Sequence, residues 1–408
     1  MPRPCKTVLF LADGMADEPL PELGGKTPLE AVDTPWMDRI AALGASGTFL
    51  SLPPGFPTSS DVANLSVLGY DLAACYPGRG PLEAAAQGIP LGEHDIAWRC
   101  NLVHAADGIL HDYSAGHIAN DAAAELMAAL QAELGSAQAS FHAGVSYRNL
   151  LILHSPEFCE RVRFHKPDSS QGQRLDDLAL APADDSPEAA HTVAFLRDLE
   201  ARAAAFLARQ PRNAGAAAPA NRIWPWSPGR QPRLQAFAEK YGRRGAVISA
   251  VDVIFGIARC AGMGVIKVPG ATGFVDTNYE GKAAAAVRAL ADHDFVFLHV
   301  EAIDECGHMG DLPLKMQAIR DFDARIVGPV MQALDGQGCA FAVLPDHPVP
   351  VRLRKHTRTP VPVAICGPHI APDPIRQYSE TLAPGGALGH LRGDGVMRRL
   401  FAMDPPAQ

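Results

Sequence analysis

Three short apolar runs end at, or shortly before, an acidic side chain: Thr7-Val-Leu-Phe-Leu-Ala before Asp13, Asp294-Phe-Val-Phe-Leu-His-Val before Asp304, and Ala340-Phe-Ala-Val-Leu before Asp346. Runs without apolar–polar alternation describe strands covered on both faces, and so a parallel sheet flanked by helices. In an open sheet of that kind, ligands gather beyond the carboxyl ends of the strands. Two of the acidic groups bring histidines with them, as Asp304-Glu-Cys-Gly-His308 and as Asp346-His347 followed by His356. Asp13, Asp304, His308, Asp346, His347 and His356 are therefore expected to meet at one edge, with enough oxygen and nitrogen donors for two divalent cations. A single aspartate at a strand end is more often a helix cap than a ligand. The repetition of the pattern with histidines is what points to metal. Carboxylate plus imidazole ligation suits manganese, with zinc or magnesium also admissible.

The chain has 408 residues, more than one core normally grows to, so two domains are expected. Strand and helix signals alternate over residues 1–100 and again from Gly245. The proline in Thr27-Pro-Leu-Glu-Ala and in Thr34-Pro-Trp-Met-Asp marks a first helical position with threonine as the N-cap. The middle differs. It offers short strands at Arg148-Asn-Leu-Leu-Ile-Leu and Val162-Arg-Phe, a helix near 188–208, a polar loop or lid at 168–185, and a Pro-, Ala- and Gly-rich linker or active-site loop at 209–233. The expected fold is α/β: a core of 1–100 and 236–408 with a mainly parallel sheet flanked by helices, and a smaller α/β (α+β) domain, 101–235, inserted into it.

The net charge of −9 argues against a nucleic-acid surface. No apolar run approaches the roughly 20 residues that span a bilayer, and Met1-Pro-Arg-Pro-Cys-Lys leads straight into a strand without the apolar stretch of a signal peptide. The eight cysteines show no C-x-x-C spacing and read as reduced thiols, which fits a cytoplasmic protein. Oligomeric state is not readable.

The turn Pro53-Pro-Gly-Phe-Pro opens a helix at about Ser60, within Thr58-Ser-Ser-Asp-Val-Ala-Asn64. A hydroxyl there faces free backbone N–H groups and the positive end of the helix dipole, which favour an alkoxide or a phosphoserine. On its own, Ser59 or Ser60 reads more readily as a helix cap. Gly270-Ala-Thr-Gly reads as a tight turn, Arg79 as a structural arginine or a phosphate contact, and Trp224-Pro-Trp226 as a rigid loop or a hydrophobic hinge. The remaining histidines, His299 among them, show no ligand spacing.

Leu11-Ala-Asp-Gly-Met, Ser60-Asp-Val-Ala-Asn-Leu-Ser-Val-Leu-Gly-Tyr-Asp, Gly78-Arg-Gly-Pro-Leu-Glu-Ala, Pro269-Gly-Ala-Thr-Gly-Phe-Val-Asp-Thr-Asn, Asp304-Glu-Cys-Gly-His-Met-Gly-Asp and Pro345-Asp-His-Pro-Val-Pro-Val together resemble the archaeal-type cofactor-independent phosphoglycerate mutases of the alkaline phosphatase superfamily. Within them the chain is most similar to a bacterial branch proposed to be homoserine kinases, through Asp112-Tyr-Ser-Ala-Gly-His-Ile and Ile223-Trp-Pro-Trp. The resemblance implies an alkaline-phosphatase-like core and two divalent metal ions, with no need for 2,3-bisphosphoglycerate. It implies Ser60 as the phosphorylated nucleophile and as a ligand of the first ion, with Asp13, Asp346 and His347. Asp304, His308 and His356 would hold the second. Arg148 matches an arginine that holds the organic part of the substrate, and His117, Asp168 and Arg230 fall in the corresponding loops.

One segment departs from the pattern. The archaeal-type mutases have Asp-Arg-Arg-Ala-Gly-Arg where this chain has Asp112-Tyr-Ser-Ala-Gly-His. Fewer guanidinium forks suggest a less anionic acceptor, unless Arg99, Arg148, Arg230 or Arg233 compensates. The leading expectation is phosphoglycerate mutase acting on a small phosphorylated substrate. Homoserine kinase is the alternative, although no nucleotide-binding loop is present. A phosphomonoester hydrolase or a non-catalytic binding protein fits less well.

Overall fold

The computed structural model describes residues 5–403; Met1–Pro4, part of the segment read above as no signal peptide, lie outside them. Among the described residues the strands are β1 (Thr7–Ala12), β2 (Ala45–Phe49), β3 (Asp95–Ala106), β4 (Ile109–Asp112), β5 (Ala139–Val145), β6 (Arg148–His154), β7 (Val162–Arg163), β8 (Ala181–Pro182), β9 (Arg222–Gly229), β10 (Gly245–Ser249), β11 (Gly264–Lys267), β12 (Phe295–Val300), β13 (Ala340–Leu344), β14 (Val361–Cys366) and β15 (Gly389–Leu391). The chain divides into two compact units: Pro77–Arg233, and the segments before and after it.

The flanking segments build an α/β unit. Its sheet runs β11-β10-β12-β1-β13-β14-β2-β15, and β14 alone opposes the other strands. Every residue of β1, β12, β13 and β14 is buried, as expected for apolar runs sandwiched between helices. The three runs that precede Asp13, Asp304 and Asp346 are neighbours in the order β12-β1-β13, so their carboxyl ends lie side by side. Tyr279, Ile319, Phe322 and Met37 pack with these strands in one apolar core.

Local chemistry explains the helix starts. Thr27 caps the helix Pro28–Ala31 in a reciprocal capping box with Glu30. Thr34 makes no such bond at the next helix, Pro35–Leu43. The Asp323 carboxylate takes over, accepting from the Trp36 and Met37 backbone N–H groups at 3.1 and 2.7 Å. Sequence reading assigned that cap to the adjacent residue because a partner 286 or more positions away leaves no local signal.

The second unit is α+β. An antiparallel sheet ordered β4-β3-β6-β5, with β9 also on β3, packs with the helices Asn120–Leu134 and Pro187–Leu207 around Trp98, Leu126, Leu151 and Leu196. It begins at Pro77 rather than 101. A cut at residue 100 would pass through β3, which pairs with both β6 and β9. Two loop assignments also change. The segment 209–233 contains β9, whose prolines Pro225 and Pro228 are tolerated in a strand that pairs along one edge, with β3. The segment 168–185 carries short 3-10 turns and β8, which pairs with β7.

Among the described residues no helix is long and apolar enough to cross a membrane, and all eight cysteines are free thiols.

Candidate metal centre

Asp13 follows β1 directly, and the chain must turn sharply after it. Gly14 has φ +65°, and a Cβ there would lie 2.6 Å from Asp304 Cα. Only glycine allows the segment after β1 to approach that of Asp304 so closely. Asp304 itself stands on the helix Ala302–Met309, not at the strand end. Its spacing from His308 puts the two on one helix face, with His308 Nε2 3.5 Å from Asp304 Oδ2. Asp346 and His347 follow β13 after one residue, Pro345.

These residues form two groups, Asp13 with Asp346 and His347, and Asp304 with His308 and His356; within each, the donor atoms lie within 4.8 Å of one another. His347 Nε2 lies 3.5 Å from Asp13 Oδ1, 3.4 Å from Asp346 Oδ2 and 3.2 Å from Ser60 Oγ. Its ring stacks on that of His356 at 3.8 Å and brings Nδ1 to 4.0 Å from Asp304 Oδ1, which links the two groups.

Ser60 opens the helix Ser60–Val67. Neither Ser59 nor Ser60 caps it: the Ser59 side chain makes no cap bond and its buried Oγ has no hydrogen-bond partner. The Ser60 hydroxyl is directed to His347 instead. Asn64, one turn on, donates from Nδ2 to the Ser60 carbonyl at 2.8 Å and to Asp346 Oδ2 at 2.9 Å. Asp346 Oδ1 also accepts from the Gly14 and His347 backbone N–H groups, so this carboxylate is held by three donors.

The donor sets suit cations. His308 Nδ1 is 3.0 Å from the Arg354 carbonyl and His356 Nδ1 is 3.2 Å from the Thr58 carbonyl. A carbonyl only accepts, so both Nδ1 atoms carry a proton, and in the neutral rings both Nε2 atoms present lone pairs. Those two Nε2 atoms are 2.9 Å apart, a repulsive approach that a shared cation would turn into ligation. Asp13 Oδ1, Asp304 Oδ1 and His347 Nδ1 are buried without hydrogen-bond partners, and buried polar atoms are seldom left so.

The electrostatics agree. Burial, then the charge of Asp304, pushes the Asp13 carboxyl well above the usual carboxylate range. Burial and Asp13 do the same to Asp346. Burial also drives His347 well below the usual imidazole range. Asp304 is pushed up by burial but pulled down to about 2 by His356, His347 and His308. A divalent cation would relieve the crowding of buried carboxylates.

The four other expected site residues all belong to the second unit. His117, at φ +52°, packs edge-on against Tyr113 and Tyr147, and the Arg148 guanidinium lies 4.9 Å from the Tyr147 ring centroid. Asp168 begins a short 3-10 turn. Arg230 donates to Glu160 and to the carbonyls of His94 and Phe158. Arg79 is bonded to Glu83, which also faces the buried Arg99.

Sequence reasoning passed over Asn64 and His299. His299 is fully buried, with Nε2 3.0 Å from Asp13 Oδ2, and burial lowers it to about 4. The available signal was a lone imidazole inside the otherwise apolar Phe295-Val-Phe-Leu-His-Val run, where a buried polar group needs a partner.

The family model described as Metalloenzyme superfamily matches residues 5–403. The 2,3-bisphosphoglycerate-independent phosphoglycerate mutase of Methanosarcina acetivorans is 43% identical over 402 residues, 97% of this chain and 99% of its own. The protein of the same name from Methanothrix thermoacetophila is 44% identical over 97% of this chain and 100% of its own. Among solved structures, a protein from Pyrococcus horikoshii superposes with TM-score 0.83 at 27% identity, covering 99% of both chains. The cofactor-independent phosphoglycerate mutase of Thermoplasma acidophilum gives 0.65 at 26%, covering 98% of this chain and 99% of that one. These relatives carry the mutase name, and the homoserine-kinase alternative finds no support in them.

Proposed function

We propose that this chain, which belongs to the metalloenzyme superfamily and within it to the 2,3-bisphosphoglycerate-independent phosphoglycerate mutases, interconverts 2- and 3-phosphoglycerate through a phosphoserine at Ser60. The observation that carries the reading is the Ser60 hydroxyl. It stands at a helix N-terminus, leaves the capping role unfilled, and lies 3.2 Å from His347 Nε2 beside the carboxylates of Asp13 and Asp346.

Asp13, Asp346, His347 and Ser60 would hold one divalent ion, and Asp304, His308 and His356 a second; manganese suits this mixture of oxygen and nitrogen donors. Bound there, such ions supply a clamp for phosphoryl oxygens and a lowered hydroxyl pKa. Ser60 Oγ forms a bond to phosphorus as the P–O bond to the glycerate oxygen breaks, and the serine proton ends on the freed glycerate hydroxyl. The reverse step delivers the phosphoryl group to the neighbouring hydroxyl and restores the serine. Free N–H groups in the first turn of Ser60–Val67 favour the phosphoserine charge. Asn64 fixes the helix to Asp346 and so holds the nucleophile in register with the carboxylates.

His117, Arg148, Asp168 and Arg230 of the second unit would hold the organic part of the substrate. Arg230 already bonds Glu160 and the carbonyls of His94 and Phe158, so its part would be to brace the loop that carries it. A cytoplasmic setting suits the eight free thiols. The test is an assay of the manganese-loaded protein with 3-phosphoglycerate and no 2,3-bisphosphoglycerate, in which 2-phosphoglycerate is read by coupled dehydration. Steady turnover is expected, and its absence at every divalent ion tried would refute the reading.

A further inference from the structure

We propose that His299 is a positioning residue that fixes how Asp13 presents itself to a cation, allowing it a single oxygen. The proposal rests on the two-metal reading above and goes beyond it by naming the side chain that orients one of its ligands.

The argument begins at an amide. The Val251 N–H donates to Ser249 Oγ at 3.0 Å. Ser249 Oγ is also 3.1 Å from His299 Nδ1. The Asp13 carboxylate oxygen beside Nε2 accepts, so the neutral imidazole carries its proton on Nε2, and its Nδ1 lone pair accepts the Ser249 hydroxyl. Nε2 then donates to Asp13 Oδ2 at 3.0 Å. Ser249, His299 and Asp13 belong to or directly follow β10, β12 and β1, which are consecutive in the sheet. The relay thus crosses three strand ends held in register by backbone ladders. All three residues are essentially buried, so water does not compete for these bonds.

The consequence falls on the other oxygen. Asp13 Oδ1 is buried, has no hydrogen-bond partner, and lies 3.5 Å from His347 Nε2. With Oδ2 held by His299, the carboxylate cannot turn to offer both oxygens. Without that bond it is free to rotate about its Cβ–Cγ bond.

The test uses Mn2+ alone, titrated into the metal-stripped full chain, with occupancy of each site followed by calorimetry and electron paramagnetic resonance. Asp13→Ala identifies which of the two binding events involves Asp13. His299→Leu is expected to weaken that event by about 10- to 100-fold and to leave the other unchanged. His299→Gln, which keeps an N–H donor on a comparable reach, is expected to restore most of the loss; a purely packing role would give no such rescue. Ser249→Ala, which releases the tautomer, is expected to weaken the same event to a smaller extent. It also carries the test if His299→Leu fails to fold. Two Mn2+ bound by a folded His299→Leu, or by Ser249→Ala if the former does not fold, with the parent's affinities would overturn the proposal and leave the two-metal reading intact. A parent protein that binds no Mn2+ would remove the metal reading and this proposal with it.

Discussion

Ser60 is the residue on which the chemistry turns, and its neighbours divide the work around it. Replacing it by alanine removes one oxygen while the six carboxylate and imidazole groups remain. Ser60→Ala is therefore expected to lower turnover by at least ~10^3-fold while the protein still takes up Mn2+, measured by steady-state assay and metal titration. Normal turnover in that variant would end the phosphoserine scheme. Gly14 is the second critical residue. Gly14→Ala meets both a positive φ and the Asp304 backbone, with an expected cost of about 1–3 kcal/mol and weakened Mn2+ binding. A variant with unchanged melting temperature and affinity would show that the two segments can part without consequence.

At the level of elements, buried charges tie loops to helices. Lys315 of the helix Leu312–Phe322 is fully buried and donates to Asp17 at 2.8 Å and to the Val349 carbonyl at 2.9 Å, while Asp17 also accepts from Val351 N–H. This joins the segment after β1 to the segment after β13, the two that bring Asp13 and Asp346. Lys315→Met would leave Asp17 as an uncompensated buried carboxylate, and denaturant unfolding should show a loss of about 3–5 kcal/mol. A loss below ~1 kcal/mol would mean the pair is not needed to hold the segments. Asp323 gives a pH signature. Burial raises its carboxyl to about 6 even though it accepts from two helix N–H groups. The folded state therefore holds that proton more tightly than the unfolded chain, whose aspartates titrate near 3.9. Its contribution is fully present below about 4 and declines as pH rises through about 6. In Asp323→Asn the fall in melting temperature across that window should shrink relative to the parent; an identical profile would exclude Asp323 as its source.

For the whole molecule, the prediction is that chelation abolishes turnover and Mn2+ restores it; full activity in a metal-stripped sample would contradict the scheme. The features readable from sequence were those written in consecutive residues. The buried runs of β1, β12 and β13 carried their own burial pattern, and Asp304 with His308 carried a metal-ligand spacing, though not the helix on which it stands. What was not readable depends on distant partners. Asp323 caps a helix far upstream, β9 gains strand character from pairing with β3, and His299 matters because β1 lies beside β12. The central claim is that two cations sit beside the Ser60 hydroxyl. Anomalous diffraction from Mn2+-grown crystals tests it most directly. Two peaks are predicted, one among Asp13, Asp346, His347 and Ser60, the other among Asp304, His308 and His356; no peak at either group, or manganese bound only elsewhere, would contradict it.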